Sequence, residues 1–407
     1  MYAFSQPKER NAYLHYCYTR KDFPECLRVI EDQLRETNGQ SEYSLYVKGL
    51  ILRNQGRLEE SLFTFQAAIC LNIKSIDTLK QIGRSLYLLG KHRTALEMFE
   101  NCERQLQEKG GVEDREIFHN KGLCYQYLKQ YEKAIDSFKE ANAIQRHESS
   151  YIQMARVYRI LGNEEEALAV LMEALEDSRE NPELQTSIGL LHLKAGNNAK
   201  AFEFLGNSLT YDPKRSNTLL AAASIIQDNG DMDVALVKYR AAIYQAPNSA
   251  QLWNNIGMCF FGKQKFTAAV SCLKRAAYLS PFEWIISFNL GIIHLATEQY
   301  ASAYHYFSTA INFLPSYARS YMYLAITLTK LDDFEDACLV YEKAIQLGDD
   351  YLCHLNYALT LYNHDERERS REQFVRYQAS VGRLQDPADL DADTRAVADQ
   401  LKTALFH

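Results

Sequence analysis

The sequence has few residues that interrupt helices and no run that could cross a membrane. It contains 8 prolines in 407 residues, and no stretch approaches the 18 or so consecutive apolar residues of a membrane-spanning helix. The polar start, Met1 to Arg10, predicts no secretion leader. Positive charge is not in excess either, because 45 Lys and Arg stand against 52 Asp and Glu. That balance argues against nucleic acid as the main partner, since phosphate binding needs a concentrated positive surface.

Residue patterns of catalytic and metal sites are also missing. The 9 cysteines are scattered and none forms a CxxC pair, so the sequence predicts neither a zinc ribbon nor a disulfide framework, and a reduced, cytoplasmic chain is expected. There is no GxGxxG or GxxxxGK[ST] phosphate loop, no HExxH and no GxSxG elbow. We therefore predict no catalytic residues, no cofactor site and no metal site.

What the sequence does have is a small residue that recurs about every 34 positions. The successive intervals are 33 to 35 residues, with one exception of 39. Further small residues follow 12 and 19 positions after most of these marks, and a glycine often follows 7 positions after. We call the recurring residue the mark, and the marks are Leu14, Gly49, Gly83, Gly122, Ala155, Gly189, Ala223, Gly257, Gly291, Ala325 and Ala358.

Each period is predicted to be a pair of antiparallel helices, A and B, of about a dozen residues each. A small mark lets helix A approach helix B closely, and the glycine 7 positions later suits a left-handed turn. A proline ends four consecutive periods, where it stops helix B and suits the first turn of the next helix A. Aromatic residues recur on helix B and are interpreted as core; they include Phe65, Phe99, Phe138 and Phe307.

These residues resemble the tetratricopeptide repeat family. Its pattern is matched best by Trp253, Ile256, Gly257, Phe260, Ala269, Leu273, Ala276 and Pro281. The resemblance implies an all-α, right-handed superhelical solenoid whose A helices line a concave groove. We assign residues 1–7 to an N-terminal tail, 8–380 to ten or eleven repeats of which the first is degenerate, and 381–407 to a linker and a capping helix. The interval of 39 predicts a lengthened loop near Gly110.

In this repeat family, the positions 6 and 3 before the mark and 1 and 4 after it face the groove. They become apolar in the last four repeats, and contiguous apolar surface on this scale predicts a partner-binding site. The alternative is that superhelical curvature buries some of them against adjacent A helices. The candidate residues are Met258, Phe261, Ile285, Phe288, Ile292, Leu295, Met322, Ile326, Leu352, Leu355, Leu359 and Tyr362.

Segments that the repeat does not dictate resemble a narrower family, the Bardet–Biedl syndrome 4 family. They include residues 252–263, 205–213 and 86–92. The resemblance implies a non-catalytic subunit of the BBSome, a coat-like complex that moves membrane proteins in and out of cilia. Implied partners are β-propeller subunits, a second tetratricopeptide subunit and a small helical subunit in the groove, with centriolar-satellite and dynein or dynactin proteins beyond them. The implied location is cytoplasm, cilium, basal body and centrosome, with membrane reached only through the complex.

Two other classes of protein use such repeats. A co-chaperone or adaptor that binds peptide tails needs Lys and Asn side chains that converge on carboxylates. Lys80 and Arg84 supply a partial basic cluster, but the paired asparagines are missing. An enzyme that carries such repeats needs a catalytic domain, and the 27 residues after position 380 are too few for one.

Overall fold

The computed structural model describes residues 7–108, 110, 113–383 and 392–406. Those residues form 23 α-helices and no strand. The chain divides into two compact units, Met1–Tyr211 and Asp212–His407. The predicted all-α solenoid of helix-turn-helix repeats is confirmed.

The first unit holds six helical hairpins, in which each odd-numbered A helix packs on the B helix that follows. Their bounds are α1 (Pro7–Thr19), α2 (Phe23–Glu36), α3 (Glu42–Asn54), α4 (Leu58–Leu71), α5 (Ile76–Leu88), α6 (His92–Glu108), α7 (Arg115–Tyr127), α8 (Tyr131–Ile144), α9 (Glu148–Leu161), α10 (Glu164–Asp177), α11 (Pro182–Lys194) and α12 (Asn198–Tyr211).

The second unit holds five further hairpins and a terminal helix. Their bounds are α13 (Ser216–Asp228), α14 (Met232–Gln245), α15 (Ala250–Gly262), α16 (Phe266–Leu279), α17 (Trp284–Ala296), α18 (Tyr300–Phe313), α19 (Ala318–Lys330), α20 (Phe334–Leu347), α21 (Tyr351–Asn363), α22 (Arg367–Val381) and α23 (Ala392–Phe406).

The small marks allow a B-helix side chain to lie directly on the A-helix backbone. A Cβ added to Gly83 would come within 2.7 Å of the Phe99 ring, and one added to Gly291 within 2.6 Å of the Phe307 ring. Both rings are fully buried. Because real Cβ atoms do not approach carbon this closely, a larger residue at the mark would force the two helices apart.

The turn between helices A and B has one backbone conformation throughout the chain. The residue 7 positions after the mark has positive φ in all eleven hairpins, from +56° to +87°. Glycine fills this position at Gly56, Gly90, Gly162, Gly196 and Gly230. The others carry a side chain there: Lys21, Lys129, Gln264, Glu298, Asp332 and Asp365.

Two local predictions differ from the structure. Pro213, Pro247, Pro281 and Pro315 do stop the preceding B helices, but each stands three residues before the next A helix and not in its first turn. The interval of 39 residues was predicted to lengthen only the loop near Gly110, but it also lengthens a helix. Helix α6 has 17 residues where the B helices α4 and α8 have 14, so part of the insertion is helical. Gly110 forms a turn with φ +59°, and Lys109 and Gly111 lie outside the described residues.

The terminal helix α23 covers the apolar side of the last hairpin. Ala398, Leu401 and Leu405 pack with Phe374 and Tyr377 of α22 in one buried cluster. The Arg371 guanidinium also donates two hydrogen bonds to the Leu405 carbonyl, at 2.6 and 2.9 Å. An open solenoid end is apolar, so a covering helix of this kind removes that surface from water. Residues 1–6 of the predicted tail (1–7) and residues 384–391 of the predicted linker and capping segment (381–407) lie outside the described residues.

Candidate protein-binding strip

All twelve predicted groove residues lie on four consecutive A helices of the second unit. Helix α15 carries two of them, α17 four, α19 two and α21 four. Helical periodicity places residues 3 to 4 apart on one side of a helix, so the four helices present one continuous apolar face. The structure therefore brings the predicted residues together.

One row of that face is buried against neighbouring helices. Phe288 and Met322 lie in the joints between successive A helices, and Leu355 packs in the cluster formed by α21, α22 and α23. Phe288, Met322 and Leu355 are 6%, 3% and 4% exposed, and each stands three residues before its mark. The Phe288 ring packs 5.8 Å from the Phe307 ring of its own hairpin and 5.5 Å from Tyr323 of the next. These three side chains stabilise the stacking of repeats and are not open to a partner.

The same pair of positions makes the contact between successive A helices along this part of the unit. The residue three before the mark in one repeat contacts the residue two before the mark in the next. This places Phe288 on Tyr323, and it places the Met322 sulfur 4.0 Å from the Asn356 amide nitrogen. Between α15 and α17 the contact is polar, because Asn289 Nδ2 donates to Asn254 Oδ1 at 2.9 Å and both residues are buried.

The other nine predicted residues are half-buried and form the face that solvent reaches. We call them the inner apolar strip: Met258, Phe261, Ile285, Ile292, Leu295, Ile326, Leu352, Leu359 and Tyr362. The strip is supported from below by the buried clusters of the hairpins, so its side chains are held in place rather than free in solvent. A pre-ordered apolar surface loses little conformational entropy when a partner covers it.

Charged side chains beside the strip are already paired. The Arg319 guanidinium lies 3.2 Å from the Asp350 carboxylate, and Lys263 forms an ion pair with Asp233. Asp350 also caps α21 by accepting a hydrogen bond from the Leu352 backbone at 3.1 Å. Because these charges already have partners, a charged ligand would gain little by binding beside them. The strip therefore suits the apolar side of a protein segment.

Sequence reasoning missed two groups of residues. The first is the Asn254–Asn289 pair, which no repeat pattern singles out. The second is a set of exposed aromatic residues outside the strip: Tyr244, Tyr278 and Phe282, each more than three-quarters exposed. The spacing of 34 between Tyr244 and Tyr278 was the available signal, since it places both at the same position of successive B helices.

The described residues show no centre for metal binding or membrane insertion. No three His, Cys, Asp or Glu side chains among them come together as a metal site. None of the helices in these parts of the chain is long and apolar enough to cross a bilayer.

Comparison with known proteins decides the family. Sequence models of the tetratricopeptide repeat match residues 43–72, 74–147, 148–180 and 220–283. The BBSome complex member BBS4 of Bos taurus is 45% identical over 401 residues, which covers 98% of this chain and 76% of the relative. The chain belongs to the BBS4 family. The Drosophila melanogaster homolog in this family is 36% identical, with 92% of this chain and 80% of the relative covered.

Membership of the BBS4 family confirms the narrower resemblance drawn from the sequence, and solved structures agree on the fold. A chain of the APC/C hetero-tetramer Cut9–Hcn1 superposes with a TM-score of 0.50 at 13% identity, covering 100% of this chain and 97% of that one. Human IFIT1, solved as a dimer with m7Gppp-AAAA, gives 0.51 at 15% identity, covering 84% and 90%. At such identities the likeness extends to the helical-repeat fold alone.

Proposed function

We propose that this BBS4-family chain is a non-catalytic scaffold subunit of the BBSome, and that its inner apolar strip holds a helical segment of a small subunit. The observation that carries the proposal is the strip itself, a pre-ordered apolar face within a chain whose relatives are named as BBSome complex members. A scaffold of this kind works by presenting surfaces that several partners bind at once.

The dimensions of the strip favour a helix as its occupant. Met258, Ile292, Ile326 and Leu359 stand at the same position of four successive A helices. With packed helix axes about 8–10 Å apart, they span roughly 24–30 Å. A helix of about 16 to 20 residues has that length and can present one apolar side along it. A helix laid in the groove is a known mode of protein recognition.

The chemistry of the buried cysteines fits a non-catalytic role. All nine cysteines are free thiols. Burial raises the pKa of the Cys124 thiol to about 12, and burial together with the Asp350 charge raises the pKa of the Cys353 thiol to about 12. A nucleophilic cysteine is a thiolate near neutral pH, so these two side chains are structural.

The finer parts of the proposal concern partners and place. We infer that β-propeller subunits and a second tetratricopeptide subunit bind other surfaces of the chain, and that centriolar-satellite and dynein or dynactin proteins are further partners. The chain would then act in the cytoplasm, cilium, basal body and centrosome, and would meet membranes through the complex. No nucleic acid and no cofactor enter this proposal.

Affinity purification from ciliated cells, with subunits identified by mass spectrometry, tests the proposal. The wild-type chain is expected to retain the BBSome subunits. The double variant Ile292→Asp/Ile326→Asp places two charges on the strip and is expected to lose the small helical subunit by more than tenfold, because burying an unpaired carboxylate is costly.

The matched control is Val237→Asp/Leu339→Asp. It makes the same kind of change at two B-helix residues that are each 63% exposed. The control should retain the small subunit, and circular dichroism should show equal helicity for all three chains. Equal recovery of that subunit with both double variants would contradict the strip assignment, whereas recovery of no BBSome subunit by the wild type would contradict the scaffold role.

The peptide-tail adaptor is the weaker candidate on this structure. Lys80, the lysine that such a clamp would use, has its Nζ 2.7 Å from Asp114, 3.2 Å from Asp77 and 3.6 Å from Glu116. Three carboxylates already compete for this ammonium group. A free peptide carboxylate would have to displace them.

A further inference from the structure

A cleft of 570 Å³ lies where helices α2, α3 and α4 of the first unit meet. Its floor is apolar and is formed by Leu27 of α2, Leu45 and Leu52 of α3 and Ala67 of α4. Leu27 packs against a buried cluster of α1, α2 and α3, and Leu52 is itself buried, so the floor is held in place. Clefts that bind ligands typically measure about 300–1,000 Å³, so this one is large enough to take a large side chain of a partner.

The cleft lies on the side of α3 that faces away from the groove positions. Leu45, Lys48 and Leu52 stand 4 and 1 positions before the mark Gly49 and 3 positions after it. The repeat family instead turns the positions 6 and 3 before the mark and 1 and 4 after it toward the groove. At about 100° per residue, the centres of these two sets are roughly 150° apart around the helix axis. A ligand in the cleft would therefore bind the outer side of these repeats and not their concave side.

An exposed aromatic ring stands at the edge of the cleft. Phe63 of α4 belongs to the lining and is 73% exposed. It stands 14 positions after its mark, where four of the other five repeats of the first unit have a charged residue: Arg28, Glu97, Asp136 and Glu203. Neither the repeat nor packing within the hairpin therefore requires a ring at this position. Such a ring contributes free energy only when a ligand covers it.

Two free carboxylates flank the cleft. Glu31 of α2 and Glu59 of α4 belong to the lining, and neither has an ion-pair or hydrogen-bond partner among the residues that the structure describes. The third carboxylate, Glu60, accepts a hydrogen bond from Arg57 Nε at 2.7 Å. That bond and the charges of Arg57 and Lys48 keep the pKa of Glu60 below its usual value, so the two cations of the lining already interact with Glu60. Glu31 and Glu59 are left to attract a positively charged ligand.

We propose that this cleft is a second partner site, which binds a helix of another protein through one large aromatic side chain flanked by lysine or arginine. Residues four apart share one side of a helix, as Glu59, Phe63 and Ala67 do on α4. A partner helix with a basic residue four before and four after its aromatic residue carries two cations about 12 Å apart. That separation reaches carboxylates on two helices packed about 8–10 Å apart. The site goes beyond the proposed scaffold function and shares no residue with the inner apolar strip.

Fluorescence anisotropy with the full chain tests the proposal. The probe is a fluorescein-labelled 13-residue peptide of alanine and glutamine with one Trp at its centre and a Lys four residues to either side. One matched probe has Ala in place of Trp, and another has Glu in place of both Lys. The wild-type chain is expected to bind the first probe at least tenfold more tightly than either matched probe. The reason is that one matched probe loses the anchor and the other is repelled by Glu31 and Glu59.

The variant Phe63→Ala should weaken binding of the first probe at least tenfold. Its matched control is Ile73→Ala, which removes an apolar side chain of nearly the same exposure, 72%, outside the cleft lining. The control should bind within twofold of the wild type. Thermal melts should be the same for all three chains, because both side chains lie mostly in solvent. Equal weakening by the two variants would overturn the proposal.

The variant Glu31→Gln/Glu59→Gln should weaken binding of the first probe at least fivefold and reduce its dependence on salt. Its control is Glu97→Gln/Glu203→Gln, which removes the same charge from exposed residues of α6 and α12 outside the cleft lining. Equal weakening by both pairs would contradict the proposal, because the attraction would then be a property of net charge. Failure to distinguish the three probes would contradict it too. So would self-association in sedimentation velocity that Phe63→Ala abolishes, because a second copy would then occupy the cleft.

Discussion

The two units use the same hairpin and differ in what their A helices present. The position three before the mark is charged or ionisable in two adjacent repeats of the first unit, at Lys80 and His119, and is apolar in the last three repeats of the second, at Phe288, Met322 and Leu355. Lys80 is paired with acids and His119 shares a hydrogen bond with Ser150 at 2.9 Å. In the second unit, Phe288 and Met322 close the joint to the next A helix, and Leu355 packs with α22 and α23. The mark and the turn are therefore common to both units, whereas the position three before the mark differs in its packing between repeats.

The largest expected difference between the units is the loss of unfolding free energy when the residue three before the mark is replaced by alanine. Phe288→Ala should reduce the free energy of unfolding by about 3–5 kcal/mol, because it removes a buried ring and leaves a cavity. His119→Ala at the equivalent position should cost only about 1 kcal/mol, the scale of one hydrogen bond. Urea unfolding monitored by circular dichroism measures both. Similar losses in the two variants would mean that the joints of the two units are alike after all.

A substitution at the mark should affect both units equally. Gly83→Leu and Gly291→Leu each place a side chain where Phe99 or Phe307 already lies, and each should cost about 1–3 kcal/mol or more. Gly206 on α12 serves as the control, because a Cβ there would meet no atom within 4 Å. Gly206→Leu should leave the melting temperature equal or slightly higher, since glycine is a poor helix former. A wild-type melting temperature for either mark variant would contradict the packing scheme in that unit.

The smallest expected effects are at the turn, where the units differ in residue type. Gly90 has φ +77° and Glu298 has φ +58° at the equivalent position. Gly90→Ala should cost about 1–2 kcal/mol because a Cβ is strained in this region. Glu298→Gly should relieve that strain and change stability by about 1 kcal/mol or less, since glycine loses more backbone entropy on folding. If Gly90→Ala were neutral, the left-handed turn would not be a requirement of the hairpin.

The sequence predicted the hairpins well because their determinants lie within one repeat. The mark, the B-helix ring that lies on it and the turn residue all stand at fixed offsets, so one period contains the whole interaction. The joint between repeats is different. Whether Phe288 is buried or open depends on how far α19 is rotated against α17, and that rotation is set by contacts such as Phe288 on Tyr323. A single sequence specifies which residues share one side of the A helices but not which of them the next helix covers.

The hydrogen bond between Asn254 and Asn289 gives one joint of the second unit a different mechanical character. Apolar side chains such as Phe288 and Tyr323 can shift slightly against each other with little loss of packing free energy. A buried amide pair is stabilising only in the one alignment that keeps its hydrogen bond. If the repeats of this unit move against each other when a partner binds, the contacts made by apolar side chains should shift before the contact between α15 and α17 does. The contact between α15 and α17 is therefore the more rigid one, and replacing both asparagines with apolar residues would make it more flexible.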